Sequence, residues 1–241
     1  MENETRFPSL SAPASRTLSD HIADQLRQSI MVGQLKPGQR IVEREIADAM
    51  QTSRGPVRDA LKQLENEGVV LRYPHRGTFV ARLSLKDAEE IHTLRQSLET
   101  LAVEYAIRNA EAEQIEELAQ VVDQITDQIA HGYSQLEATD LDLEFHHTLC
   151  RISGHKRVLT AWESLKAQIR MLLFSHRTLK PSHWEQAGVL WHSRIVDALR
   201  QRDVDMAQAE LRKHLIETFQ GVALSFAAQK AEQEEKVTGP D

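Results

Sequence analysis

Residues 42–82 read VEREIADAMQTSRGPVRDALKQLENEGVVLRYPHRGTFVAR, and this stretch decides the fold of the N-terminal part. Val42 to Met50 forms a short helical segment, with Ile46, Ala47 and Met50 facing inward. Thr52 or Ser53 is a good N-cap for the next helix, from about Arg54 to Glu67, whose apolar stripe is Val57, Ala60, Leu61 and Leu64. Gly68 ends it. The following VVLRYPHRGTFVARL alternates like two short strands around a Pro-His-Arg-Gly turn and predicts a β-hairpin.

Upstream, apolar residues recur at helical spacing from Thr17 to Val32 (Leu18, Ile22, Ala23, Leu26, Ile30, Met31), with Gly33 as a stop and a Pro-Gly turn in QLKPGQRIV. The order helix, helix, helix, wing is that of a winged helix-turn-helix over residues 17–82. Residues 1–16 read as a polar, disordered arm. After Ser84 strand signals cease. Long amphipathic helices are expected at 85–109, 112–131, 136–153, 156–178, 181–201 and 204–229, giving an antiparallel all-α bundle over 85–230 and a flexible tail at 231–241. The fold class is therefore mainly α, in two domains.

Composition narrows the function. The net charge of −7 argues against a protein coated in nucleic acid, but it is unevenly spread. Residues 1–82 carry twelve basic against ten acidic side chains, and the remainder seventeen against twenty-six. No apolar run approaches the roughly 20 residues that span a bilayer, and the first residues lack the pattern of a secretory signal, so a cytoplasmic protein is expected. The single cysteine, Cys150, rules out an internal disulfide and a cysteine-based zinc cluster within one chain.

The second helix of a helix-turn-helix presents its N-terminus to base edges in the major groove. Here that end is Ser53-Arg54-Gly55-Pro56-Val57-Arg58, with Arg54 and Arg58 on one face and Arg44 on the preceding helix. Arginine offers paired donors to guanine or phosphate. The turn His75-Arg76-Gly77 is placed to reach the adjacent minor groove or backbone.

In the bundle, Asp142 and His146 lie one turn apart in DLDLEFHHTLC and can share one metal ion. His192 and His214 each lie eleven residues from a turn near Asp203, so both sit roughly 16 Å along antiparallel helices and are level. One carboxylate and three imidazoles suit zinc, nickel, manganese or iron, with zinc and nickel favoured by the imidazole content. The same spacing also fits hydrogen-bonded core histidines and an ordinary helix pair. His147 points about 100° from His146. His131, His155, His176 and His183 lie near predicted helix ends and are expected to be solvated.

VEREIADAM, SRGPVRDALKQLENEGVV and PHRGTFV together resemble the head of the GntR superfamily over residues 17–82. The resemblance implies that Arg44, Arg54 and Arg58 contact DNA and that Gly77 lies at the wing turn. Gly55 stands where many relatives carry Thr or Ser, which removes a phosphate hydrogen bond. Residues 85–230, with D-x-x-F-H-x-x-L, a following Ser-Gly turn and two later histidines, resemble the FCD sensor domain of the FadR subfamily. That resemblance implies that Asp142, His146, His192 and His214 are metal ligands and that the effector is a small carboxylate or sugar acid. Arg95 and Arg170 are candidate effector contacts. His155 replaces the Asn common after Ser153-Gly154, a change at a turn. The sequence thus predicts a homodimeric regulator, with repression the expected sign, acting on a pseudo-palindromic operator in double-stranded DNA. The rival readings are a metal-dependent hydrolase, for which the motif supplies no additional general base, and a helical dimerisation module without ligand.

Overall fold

The structure, a computed structural model, describes the backbone of residues 17–179 and 182–238, and their side chains except at 177–187 and 232–238. The arm 1–16, the His183 side chain and the end of the tail lie outside the described residues. The head comprises α1 (Leu18–Met31), β1 (Arg40–Ile41), α2 (Glu43–Ala49), α3 (Arg54–Asn66), β2 (Val70–Tyr73) and β3 (Gly77–Val80). Thr17 and Asp20 close α1 with a reciprocal capping box. Ile22, Ala23, Val57, Ala60, Leu61 and Leu64, all fully buried, join α1 to α3.

The wing has a third strand that the sequence reading does not contain. β1 pairs antiparallel with β3, Ile41 opposite Thr78, so the sheet order is β1-β3-β2. A two-residue strand offers no alternation to detect. At the turn, His75 and Gly77 both have positive φ. A Cβ at Gly77 would come within 3.2 Å of Arg40 Nε, so glycine there serves both the turn and the close approach of β1.

The bundle comprises α4 (Leu85–Asn109), α5 (Ala112–His131), α6 (Gln135–Ile152), α7 (Lys156–Leu179), α8 (Ser182–Arg200) and α9 (Val204–Thr238). Ser84 and Asp87 form the capping box that opens α4. Phe145, Leu143, Leu149, Trp162, Ile195, Leu199 and Leu211 form the centre of its core. The last helix runs to Thr238, past the predicted end at 229. AAQKAEQEEKVT is rich in strong helix formers and has no breaker before Gly239-Pro240.

The head rests on α7. Ala167 is buried in the head's own apolar cluster and Met171 packs against it. Gly68, at positive φ, faces Gln168 so closely that a Cβ would fall 1.8 Å from Nε2. No helix among the described residues is long and apolar enough to cross a membrane.

Candidate metal centre and DNA face

Three helices of the bundle bring four side chains to one point. Asp142 and His146 come from α6, His192 from α8 and His214 from α9, and all four are buried. One potential ligand atom from each lies within 4.8 Å of every other. His146 Nε2 and His214 Nε2 are 3.0 Å apart, and His192 Nε2 and His214 Nε2 lie 3.5 and 4.0 Å from Asp142 Oδ1. The level placement of His192 and His214 inferred from the sequence is therefore realised in space.

The donor set fits a divalent cation. His192 donates its Nδ1 proton to the Gly188 carbonyl, which leaves the Nε2 lone pair toward the cluster. Burial first, then the neighbouring His192 and His146, holds His214 well below the usual histidine range, so its ring is neutral and able to ligate. Three imidazoles and one carboxylate form a ligand set that zinc-type ions accept.

Behind the cluster lies a charged pair that sequence reasoning missed. Glu99, fully buried on α4, accepts from Arg95 Nε and from Trp162 Nε1, both at 2.7 Å to Oε1. Its Oε2 lies 2.7 Å from His146 Nδ1, approached obliquely. Burial alone would raise the Glu99 carboxyl, but the Arg95 guanidinium and the His146 ring outweigh it and hold the group at about 2. A signal was available: Ala88, Ile91, Arg95, Glu99, Ala102 and Ala106 form one inward stripe, and an i,i+4 ion pair within an apolar stripe marks an occupied interior.

Arg95, a candidate effector contact by its sequence, is a core residue with 4% of its surface exposed. Its buried Nη2 makes no hydrogen bond and faces Asp142 Oδ2 at 3.9 Å. Arg170 is elsewhere. It pairs with Asp140 at 2.6 Å and lines a cleft of about 420 Å³, with Arg27 and Glu67 of the head, that contains none of the four clustered side chains.

Two histidines depart from the expected solvation. His176 is buried because α7 packs against α9 at Gly221 and Ser225. Its Nδ1 lies 3.2 Å from Ser225 Oγ, whose own proton goes to the Gly221 carbonyl. His155 is half-buried and accepts from the Val158 N–H at 3.3 Å, in the first turn of α7. His131 is exposed, as expected, and His147 faces Glu163 at 3.2 Å. Cys150 is buried, and burial pushes its thiol up.

On the head, Arg54 opens α3 and is exposed. Arg58 is 61% exposed and its Nε donates to Glu43 at 2.8 Å; Arg44 is 73% exposed and lies 3.5 Å from Asp48. Ser53 holds the N-cap position without a side-chain capping bond. His75 and Arg76 are exposed at the wing tip, next to half-buried Gly77. Space beside Gly55 is open, its nearest neighbour being Ser53 Oγ at 3.8 Å from a built Cβ.

Residues 18–80 match the family of bacterial regulatory proteins called gntR, and residues 90–217 match the FCD domain. The chain belongs to the gntR family and carries an FCD domain. An HTH-type transcriptional regulator in an unstable DNA locus of Streptomyces ambofaciens is 30% identical over 209 residues, covering 86% of each chain. The gluconate operon transcriptional repressor of Bacillus licheniformis is 27% identical over 80% of each. E. coli McbR/YncC shares the fold, with a TM-score of 0.74 at 19% identity over 89% of this chain and 100% of that one. The family and these relatives are transcription regulators, not enzymes, and the gntR head implies binding to operator DNA.

Proposed function

We propose that this regulator is a metal-dependent repressor whose operator affinity is set by a small carboxylate held at the bundle's centre. The observation that carries the reading is the convergence of Asp142, His146, His192 and His214, all buried, with their ligand atoms within 4.8 Å. These four residues would hold the ion, zinc or nickel by the imidazole content, and the ion would supply a Lewis-acid position for a carboxylate oxygen. Arg95 Nη2, buried and without a hydrogen bond, offers the second charge for that carboxylate. A cavity of about 30 Å³ beside Arg95, lined by Ile91, Leu172, Leu215 and Phe219, has the space of about one or two water molecules and includes none of the four clustered side chains, so an acid would enter only as the helices around it part. Arg170, in the cleft at the head, would contact an effector only there.

In this reading Arg44, Ser53, Arg54 and Arg58 meet the major groove and His75, Arg76 and Gly77 the neighbouring backbone or minor groove. Two chains related by a two-fold axis would bind half-sites about one helical turn apart, in the cytoplasm. The effector acts by its differential affinity for two placements of the heads, so the coupling is reciprocal.

The experiment is a mobility-shift titration at fixed salt with metal-loaded and chelator-stripped protein, each with and without a panel of small carboxylic acids. The reading requires a carboxylate that shifts operator affinity only in the metal-loaded protein, and saturating operator must change the affinity for that acid by the same factor. Equal affinity for the acid with and without DNA contradicts it.

A further inference from the structure

We infer that Glu99 is a positioning residue for the metal centre: through His146 Nδ1 it fixes which ring nitrogen carries the proton, and so keeps His146 Nε2 bare toward the ion. The inference rests on the metal reading above and adds a residue outside the four ligands.

The argument starts from the two oxygens of Glu99. Oε1 accepts from two donors that cannot be anything else: the Arg95 Nε–H and the Trp162 indole N–H, both at 2.7 Å. Oε2 lies 2.7 Å from His146 Nδ1, off the line of a ring N–H, so that a small turn of the imidazole converts the contact into a hydrogen bond. A bare imidazole nitrogen and a carboxylate oxygen at that separation would repel each other, lone pair against lone pair, at two fully buried positions. The contact is favourable only with the proton on Nδ1. With the single ring proton on Nδ1, Nε2 is left bare, and this is the atom that faces His214 Nε2 at 3.0 Å and belongs to the four-atom cluster. His192 reaches the same tautomer by donating Nδ1–H to the Gly188 carbonyl. Two ligands are thus pre-set by different partners, one by a backbone carbonyl and one by a charged side chain on α4. A carboxylate partner also makes the bare nitrogen more basic, and such outer partners typically contribute 10–100-fold to metal affinity.

The Glu99→Gln variant keeps the shape and inverts this logic. A glutamine has one acceptor and one donor end. Two fixed donors, one of them cationic, claim the oxygen, so the amide NH₂ must face His146. His146 then accepts at Nδ1 and carries its proton on Nε2, pointing into the cluster. The Trp162→Phe variant is the control: it removes one donor to Glu99 but leaves the carboxylate facing His146.

The test combines metal affinity, measured by chelator competition with zinc, and the ring ¹⁵N shifts of His146 in metal-free protein at mildly alkaline pH. Expected are an Nδ1–H tautomer in the wild type, an Nε2–H tautomer in Glu99→Gln with zinc affinity lowered about 10–100-fold, and Trp162→Phe within a few-fold of wild type. An Nε2–H tautomer in the wild type overturns the inference, whether or not any variant folds. So does unchanged zinc affinity in Glu99→Gln, or an equal loss in both variants, which would mean packing damage. The tautomer is read without metal. A wild type that binds no zinc but shows the Nδ1–H form would therefore refute the metal reading while leaving the role of Glu99 at His146 intact.

Discussion

Arg54 and Arg58 stand in water at the start of α3, whereas Arg95 lies inside the bundle with its guanidinium bonded to Glu99 and 4% of its surface exposed. The same side chain serves two physical purposes. In the head the arginines stay hydrated, at small structural cost, and their charge is available to a polyanion. In the bundle the guanidinium pairs through Nε inside the fold, where it makes the buried Glu99 carboxylate tolerable. Substitutions should therefore separate the two regions by what they damage, stability in one and DNA affinity in the other.

The largest effect is expected at Arg95. Arg95→Leu leaves the Glu99 carboxylate buried without its cation and should cost about 3–5 kcal/mol in a urea unfolding titration. A loss under about 1 kcal/mol would break the contrast, because Arg95 would then behave like a surface arginine. Next come the head arginines. Arg54→Ala and Arg58→Ala should each weaken operator binding by about 1–3 kcal/mol in a mobility-shift titration at fixed salt, while leaving unfolding within about 0.5 kcal/mol of wild type. Arg58 must also give up its Glu43 partner to reach DNA, so of the two Arg54 should cost more.

The smallest effect lies at the boundary. Ser84→Ala removes the cap of α4 and should cost about 1 kcal/mol at neutral pH. The hydrogen bonds from the Ser84 hydroxyl and backbone N–H hold the exposed Asp87 carboxyl below the usual range. A carboxyl depressed in the folded state stabilises above its unfolded pKa, and this contribution fades as the pH falls through the folded value. The gap between Ser84→Ala and wild type should accordingly narrow below about pH 4. A gap that widens in acid would contradict the cap.

The two regions also differ in how much of them could be read from sequence. The head's α1 and α3 follow directly from apolar stripes such as Val57, Ala60, Leu61 and Leu64, which alone bury those helices. Strand β1 did not, because Arg40 and Ile41 acquire their conformation from β3 rather than from a pattern of their own. In the bundle, the one-turn spacing of Asp142 and His146 and the turn near Asp203 that levels His192 with His214 were legible, but spacing alone also fitted core histidines, and the joining of the two pairs came from the FCD resemblance. Their partner Glu99 was not legible, since its role depends on which face of α4 meets α6 and α7, a matter of packing between helices distant in sequence. His176 was misjudged for a similar reason: it is covered by Gly221 and Ser225 of α9, a matter of which face of α7 meets α9.

The most direct test of the account is metal content by mass spectrometry on untagged, extensively dialysed protein, beside His192→Ala and His214→Ala. The account predicts about one zinc- or nickel-type ion per chain in the wild type, lost in both variants while their helical content is retained. No metal in the wild type, even after reloading with zinc or nickel, would contradict it.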